Sequence, residues 1–245
     1  QRQMCIRDRP EFAPQIVARA AEGGNDRIVQ GAHYPLDVMG GRIVGEASAA
    51  GRLNDDEFFS KVVQPAQTEL RDYLTQRGKA AGYGDTLSEI IANTKATTTG
   101  GYRNSFTDAV STKPITDVRS AVASYTQRLT YGYQQVGKAG QAPRVPDNAE
   151  GLLRTVFPTL NAKQRRAVLA ATEIDSGYPL DSTSDGWQRL NLAAAFTSKV
   201  TLNQAGDVVK VEAGDKAEVV RESAPTPAPG GNCLLCTSDA ADDGE

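Results

Sequence analysis

His33 is the single histidine of a 245-residue chain, six residues after Arg27 and four before Asp37. An imidazole whose one ring nitrogen is held by a carboxylate offers the other nitrogen as a nucleophile. The carboxylate also fixes the tautomer and stabilises the positive charge that develops on attack. A guanidinium adds a planar fork of donors matched to phosphate oxygens. Arg27, His33 and Asp37 together supply the parts for phosphoryl transfer through a phosphohistidine, with no metal required. The expected geometry has His33 and Asp37 in hydrogen-bond reach and Arg27 facing the same cavity. The same residue types also fit a plainer arrangement, a surface loop in which His33 and Asp37 cap a helix and Arg27 makes an ordinary ion pair.

The elements that must hold these residues read as helices. Phe12, Ile16, Val17 and Ala20 recur at helical spacing between Pro10 and Ala21, and Gly23-Gly24 predicts a stop. Asn25 to Tyr34 then forms a loop, and Pro35 suits the first turn of a second helix running to about Gly51. Asn54-Asp55-Asp56-Glu57 predicts an acidic helix start, followed by Phe58, Val62, Leu70 and Leu74 to about Ala81, with a kink or division at Pro65. Shorter helices are expected at about 85–93, 115–136, 148–156, 161–174 and 187–197. The segment from Val200 to Val211, alternating around Ala205-Gly206-Asp207, predicts a β-hairpin at the domain edge. The fold class is therefore mainly α, with a small C-terminal β-hairpin.

Arg27-x5-His33-x3-Asp37, with Gly31 and Tyr34-Pro35-Leu36 between and beside them, closely resembles the third signature motif of the PAP2 superfamily, the bacterial acid phosphatases and vanadium haloperoxidases. That motif reads Ser-Arg-x5-His-x3-Asp. Glu11 to Ala21 looks like the helix before it, and Val38-Met39-Gly40-Gly41-Arg42 like the helix after it, so the resemblance covers about residues 10–52. A softer likeness to the C-terminal region of longer secreted PAP2 phosphatases runs through Leu152 to Pro158, Asp175 to Leu180 and Gly186 to Leu192. Those residues read first as turns and helix packing, with no catalytic role.

The resemblance implies an incomplete helical bundle of the acid phosphatase/haloperoxidase type. It makes His33 the nucleophile, Asp37 its orienting partner and Arg27 the clamp on a small phosphomonoester. It implies no cofactor, vanadate entering only under a haloperoxidase alternative, and a secreted or periplasmic location. Asp26 departs from the pattern, since a carboxylate beside a phosphate site repels substrate unless it points away. The family's first two motifs are absent, including the Pro-Ser-Gly-His whose histidine protonates the leaving group. The chain thus reads as the C-terminal part of such an enzyme, close to inactive as it stands. A non-catalytic helical interaction module is the alternative of a different class.

The remaining composition narrows the partners. With 27 basic against 30 acidic residues the net charge is −3, which disfavours nucleic acid, and Lys163-Gln164-Arg165-Arg166 reads as a solvated helix face. No apolar run approaches the roughly 18–20 residues of a membrane-spanning helix. Hydrophobic residues make up 39% of the chain but aromatics only 6%, so small aliphatic packing should dominate the core. The oligomeric state is left open. Residues 1–9 and 233–245 lack periodicity and look foreign to the body, resembling translated sequencing-adapter read-through. Cys5, Cys233 and Cys236 all fall there, so no zinc or disulfide framework is expected. The expected organisation is a foreign-looking tail over 1–9, a PAP2-like helical domain over 10–221, and a Pro/Gly linker with a second tail over 222–245.

Overall fold

The site-bearing pair comes first in the chain: α1 (Ala13–Val29) and α2 (Pro35–Asn54) join through a short turn. The computed structural model describes residues 13–97, 115, 117–182 and 185–222; the two tails, the cysteines and the linker lie outside them. Gly23-Gly24 does not end α1, contrary to the sequence expectation, and Asn25, Asp26 and Arg27 are helical rather than in a loop. The reason lies in packing. A Cβ at Gly24 would sit 2.7 Å from Val38 Cγ1 on α2, so the glycine permits close approach of two helices at a helix-propensity cost of about 1 kcal/mol. The left-handed residue that turns the chain is Gly31, with φ +72°.

After α2, Asp55 accepts a hydrogen bond from the Phe58 amide at 2.9 Å and caps α3 (Asp56–Phe58). A π-turn over Phe59–Val63 leads into α4 (Gln64–Ala80). The division expected at Pro65 thus takes the form of a widened turn, which accommodates the proline ring and its missing N–H without breaking the rod. Next come α5 (Leu87–Thr97) and α6 (Val118–Thr130). Asp117 and Ser120 form a reciprocal cap at the start of α6, and Tyr131, at φ 50°, ends it well before the expected residue 136.

The later helices are shorter than periodicity predicts. Residues 148–156 form a 3-10 turn only over Ala149–Leu153, and α7 (Ala162–Thr172) follows a reciprocal Asn161–Gln164 cap. The helix expected at 187–197 is split into a 3-10 turn, Trp187–Arg189, and the one-turn α8 (Leu192–Ala195). Extended Leu190 separates them and is completely buried, while the Asn191 side chain caps α8. Core demand for Leu190 overrides local helix preference at this point.

The C-terminal hairpin forms as expected from β1 (Ser198–Leu202) and β2 (Val208–Ala213), with Val200 opposite Val211. Its placement differs from expectation. β3 (Glu218–Arg221) adds parallel to β1, so the order is β2-β1-β3 and β1 is central. Val200 and Leu202 belong to the main core together with Leu153, Phe157, Leu169, Leu190 and Phe196. Burying each such side chain contributes about 1.5–3 kcal/mol. The architecture is mainly α with one small sheet, and no helix among the described residues is long and apolar enough to cross a membrane.

Candidate active site

The turn between α1 and α2 fixes the spacing of the three site residues through the backbone. The Arg27 carbonyl, at the end of α1, accepts hydrogen bonds from both the Ala32 and His33 amides, at 3.0 and 3.2 Å. His33 is therefore tied to the residue whose side chain it meets. Pro35 opens α2, and Asp37 in its first turn accepts a hydrogen bond from the Tyr34 amide through Oδ2 at 3.0 Å. A carboxylate in that position satisfies an orphan amide and complements the helix dipole.

The His33 ring lies between its two partners. Nδ1 is 3.7 Å from Asp37 Oδ2, and Nε2 is 3.4 Å from Arg27 Nη2. The first distance is longer than a hydrogen bond, so the ring faces the carboxylate without the hydrogen bond expected from the sequence. The same Asp37 Oδ2 accepts from the Tyr34 amide. A guanidinium can only donate, so a hydrogen bond between Arg27 and His33 requires the tautomer in which Nε2 accepts and Nδ1, on the carboxylate side, carries the proton. The His33 and Asp37 side chains are 45% and 55% exposed, leaving the ring accessible to a ligand and screening the pair.

A cavity of 490 Å³ opens beside the ring, lined by His33, Asp37 and Val38, by Val17 and Gly24 of α1, and by Tyr125 and Tyr131 from the α6 end. Arg27 is not among the residues lining it, although its guanidinium lies 3.4 Å from the His33 ring, which is. Asp26 is not in the lining either, and its Oδ1 is buried without a hydrogen bond. The carboxylate that departs from the motif therefore does not face the cavity.

Behind the cavity lies a buried polar cluster that periodicity did not reveal. Arg42 grips Glu46 through Nη1, at 3.1 and 3.0 Å to the two carboxylate oxygens, and donates through Nη2 to the Gln188 carbonyl at 3.0 Å and to the Gln188 side chain. The Tyr125 hydroxyl donates to Glu46 at 3.0 Å, and Gln188 Nε2 donates to the Leu129 carbonyl at 2.9 Å. Burial pushes the Glu46 carboxyl up, against the pull of Arg42, and pushes the Tyr125 hydroxyl well above its usual range, aided by the Glu46 charge. These bonds fasten α2, whose first turn carries Asp37, to α6 and to the 3-10 turn at 187–189. The one sequence signal was an Arg-x3-Glu pair on a helix otherwise rich in small residues.

The C-terminal likeness resolves into structural contacts. Gly177 accepts at its carbonyl from the Val136 and Gly137 amides, and Arg189 pairs with buried Glu173 at 3.2 Å while donating to the Gln141 and Ala142 carbonyls. In the basic run, Lys163 pairs with Asp207, and Arg165 and Arg166 turn to backbone carbonyls.

Over 64 residues the chain is 39% identical to two proteins named non-specific acid phosphatase, from Salmonella typhimurium and Salmonella typhi. The match takes in 26% of this chain and 25% of each relative, so the chain spans about a quarter of the length of the curated relatives it matches. No family model matches, and no solved structure does. Over that stretch the chain has a phosphatase-like relationship, and no helix among the described residues can serve as an integral membrane segment.

Proposed function

We propose that the Arg27–His33–Asp37 turn is the nucleophilic element of a phosphomonoesterase of the PAP2 acid phosphatase type, in a protein acting in the periplasm or outside the cell. The observation that carries this reading is the placement of the His33 ring, with Nε2 3.4 Å from the Arg27 guanidinium and Nδ1 3.7 Å from Asp37. In the reaction, the Nε2 lone pair attacks the phosphorus of a small phosphomonoester, the ester P–O bond breaks with its electron pair, and a phosphohistidine forms. Water then attacks that phosphorus, the P–N bond breaks with its electron pair returning to Nε2, and inorganic phosphate leaves, a water proton having passed to the solvent or the phosphate. Arg27 donates to the equatorial oxygens as charge builds, and Asp37 stabilises the imidazolium character of the ring. The names of the two relatives favour a phosphoester over the haloperoxidase alternative.

The sequence holds one histidine, so no second imidazole protonates the leaving group. The chain by itself is therefore slow on substrates that leave as alkoxides, by about 10²- to 10⁴-fold. p-Nitrophenyl phosphate, whose phenolate departs without a proton, is the discriminating substrate. The expected outcome is hydrolysis of p-nitrophenyl phosphate well above that of glycerol 2-phosphate, with a phosphorylated His33 trapped by rapid quench. Activity that survives His33→Ala overturns the assignment.

A further inference from the structure

The 490 Å³ cavity beside His33 has two unlike ends. One end carries the His33 ring and the Asp37 carboxylate. The other walls are small or aliphatic: Ala20, Ala21 and Gly24 come from one face of α1, and Val38, Gly41 and Gly45 from the face of α2 that also carries Asp37. From Asp37 to Gly45 these residues follow two turns of α2, about 12 Å. Ala20, Ala21 and Val38 are only half-buried, so apolar surface stands open to a ligand along this length. A Cβ at Gly41 would meet nothing within 4 Å, which leaves the α2 backbone itself accessible to a flat group.

The other polar side chains of the lining are committed elsewhere. Arg42 directs Nη1 to the two Glu46 oxygens and Nη2 to the Gln188 carbonyl and side chain, and its Nε is buried. The Tyr125 hydroxyl donates to Glu46, and the Tyr131 hydroxyl oxygen is buried. Among the described lining side chains, His33 is thus the one donor open to a ligand. A sugar or polyol in this space would exchange water for walls that return few hydrogen bonds, which disfavours it. Each methylene moved from water into the same space gains about 4-fold in affinity.

With His33 as the nucleophile, the reading on which this rests, we infer that the cavity holds the alcohol portion of the substrate and selects phosphomonoesters of flat apolar alcohols, aryl phosphates above all, over sugar and polyol phosphates. In-line displacement puts the alcohol across phosphorus from Nε2, so a phosphoryl group at the His33 end leaves the length of the cavity for it. The volume lies within the range of small-molecule sites, about 300–1,000 Å³. Aryl alcohols also depart as phenolates without a proton, which suits a chain whose sequence holds no second imidazole.

The test is calorimetric titration of phosphonates, whose P–C bond is not cleaved, into the unaltered chain. Benzylphosphonate binds at least about 30-fold more tightly than methylphosphonate, and a dihydroxypropyl phosphonate gains no more than about 3-fold over methyl. Gly41→Leu, which gains helix propensity and projects into the space, brings the benzyl advantage below about 5-fold. Gly41→Ala gives an intermediate value, and circular dichroism and Tm show both variants folded. Equal affinity for benzyl and methyl phosphonates, the result expected if a second copy of the chain covers the apolar walls, overturns the inference. So does an undiminished benzyl advantage in folded Gly41→Leu, a dihydroxypropyl group that binds as tightly as benzyl, or no binding of benzylphosphonate at all. No bond breaks in these titrations, so they fail separately from the His33-dependent hydrolysis of p-nitrophenyl phosphate.

Discussion

Arg27 Nη2 stands 3.4 Å from His33 Nε2, on the nitrogen that attacks in the proposed reaction. In that reaction the guanidinium covers the nucleophile's lone pair until a phosphate arrives, and then turns to the phosphate oxygens. A donor at Nε2 selects the tautomer with the proton on Nδ1, the side that faces Asp37. In the proposed reaction one side chain thus acts on both the nucleophile and the substrate.

Arg27→Lys retains the charge but loses the fork. The expected result is a fall in kcat/KM for p-nitrophenyl phosphate of about 10-fold, and of about 10²- to 10³-fold for Arg27→Ala. Inorganic phosphate or vanadate should raise the Tm of the unaltered chain and leave that of Arg27→Ala unchanged. Equal kinetics in all three proteins would remove Arg27 from the site.

Asp37 has two duties, and substitutions separate them. Asp37→Asn keeps an oxygen for the Tyr34 amide but removes the charge facing His33. Tm should hold to within the equivalent of about 0.5 kcal/mol while the rate of phosphohistidine formation falls by about 10² or more. Asp37→Ala should lose both, and thermal melts alongside quench-flow measurements distinguish the two.

The crossing of α1 and α2 depends on a missing side chain. Gly24→Ala gains helix propensity of about 1 kcal/mol, yet its Cβ meets Val38 Cγ1 at 2.7 Å, and valine has little χ1 freedom on a helix. A net destabilisation of about 1–3 kcal/mol is expected in urea unfolding, largely recovered by adding Val38→Ala. Unchanged stability in the single variant would mean that the helices do not approach this closely.

Glu46 is the hub of the buried cluster. Glu46→Ala leaves Arg42 buried without its carboxylate and should cost about 3–5 kcal/mol, whereas Tyr125→Phe removes one hydrogen bond at about 1 kcal/mol. The double variant Arg42→Met with Glu46→Leu should be much less destabilised than Glu46→Ala. Denaturant midpoints of the three give the ordering directly.

The cap of α6 carries a pH signature. Hydrogen bonds from Ser120, backbone first, hold the Asp117 carboxyl below its usual range, so its folded pKa lies below its unfolded one. That contribution is complete above the ordinary carboxylate pKa and is lost as pH falls through the depressed folded value. The Tm gap between Asp117 and Asp117→Ala proteins should be constant at neutral pH, equivalent to about 1 kcal/mol, and close on acidification. Asp117→Asn should keep the cap without that pH dependence. A gap that widened with acid would reverse the sign of this argument.

The sequence by itself determined the mainly helical class, the start of α2 at Pro35, the hairpin around Gly206 and the candidate trio of Arg27, His33 and Asp37. Those features are local: proline and glycine backbone preferences, apolar periodicity and close spacing act within a few residues. Tertiary structure decided the rest. Whether Gly24 ends a helix or lets Val38 approach depends on a second helix, and whether residues 187–197 stay helical depends on Leu190 finding the core. Only the fold brings Tyr125 and Gln188 to the Arg42–Glu46 pair and makes β1 the central strand by adding β3. Contacts between residues tens of positions apart leave no period in the chain, because the free energy that selects them is released only when distant segments pack and exclude water together.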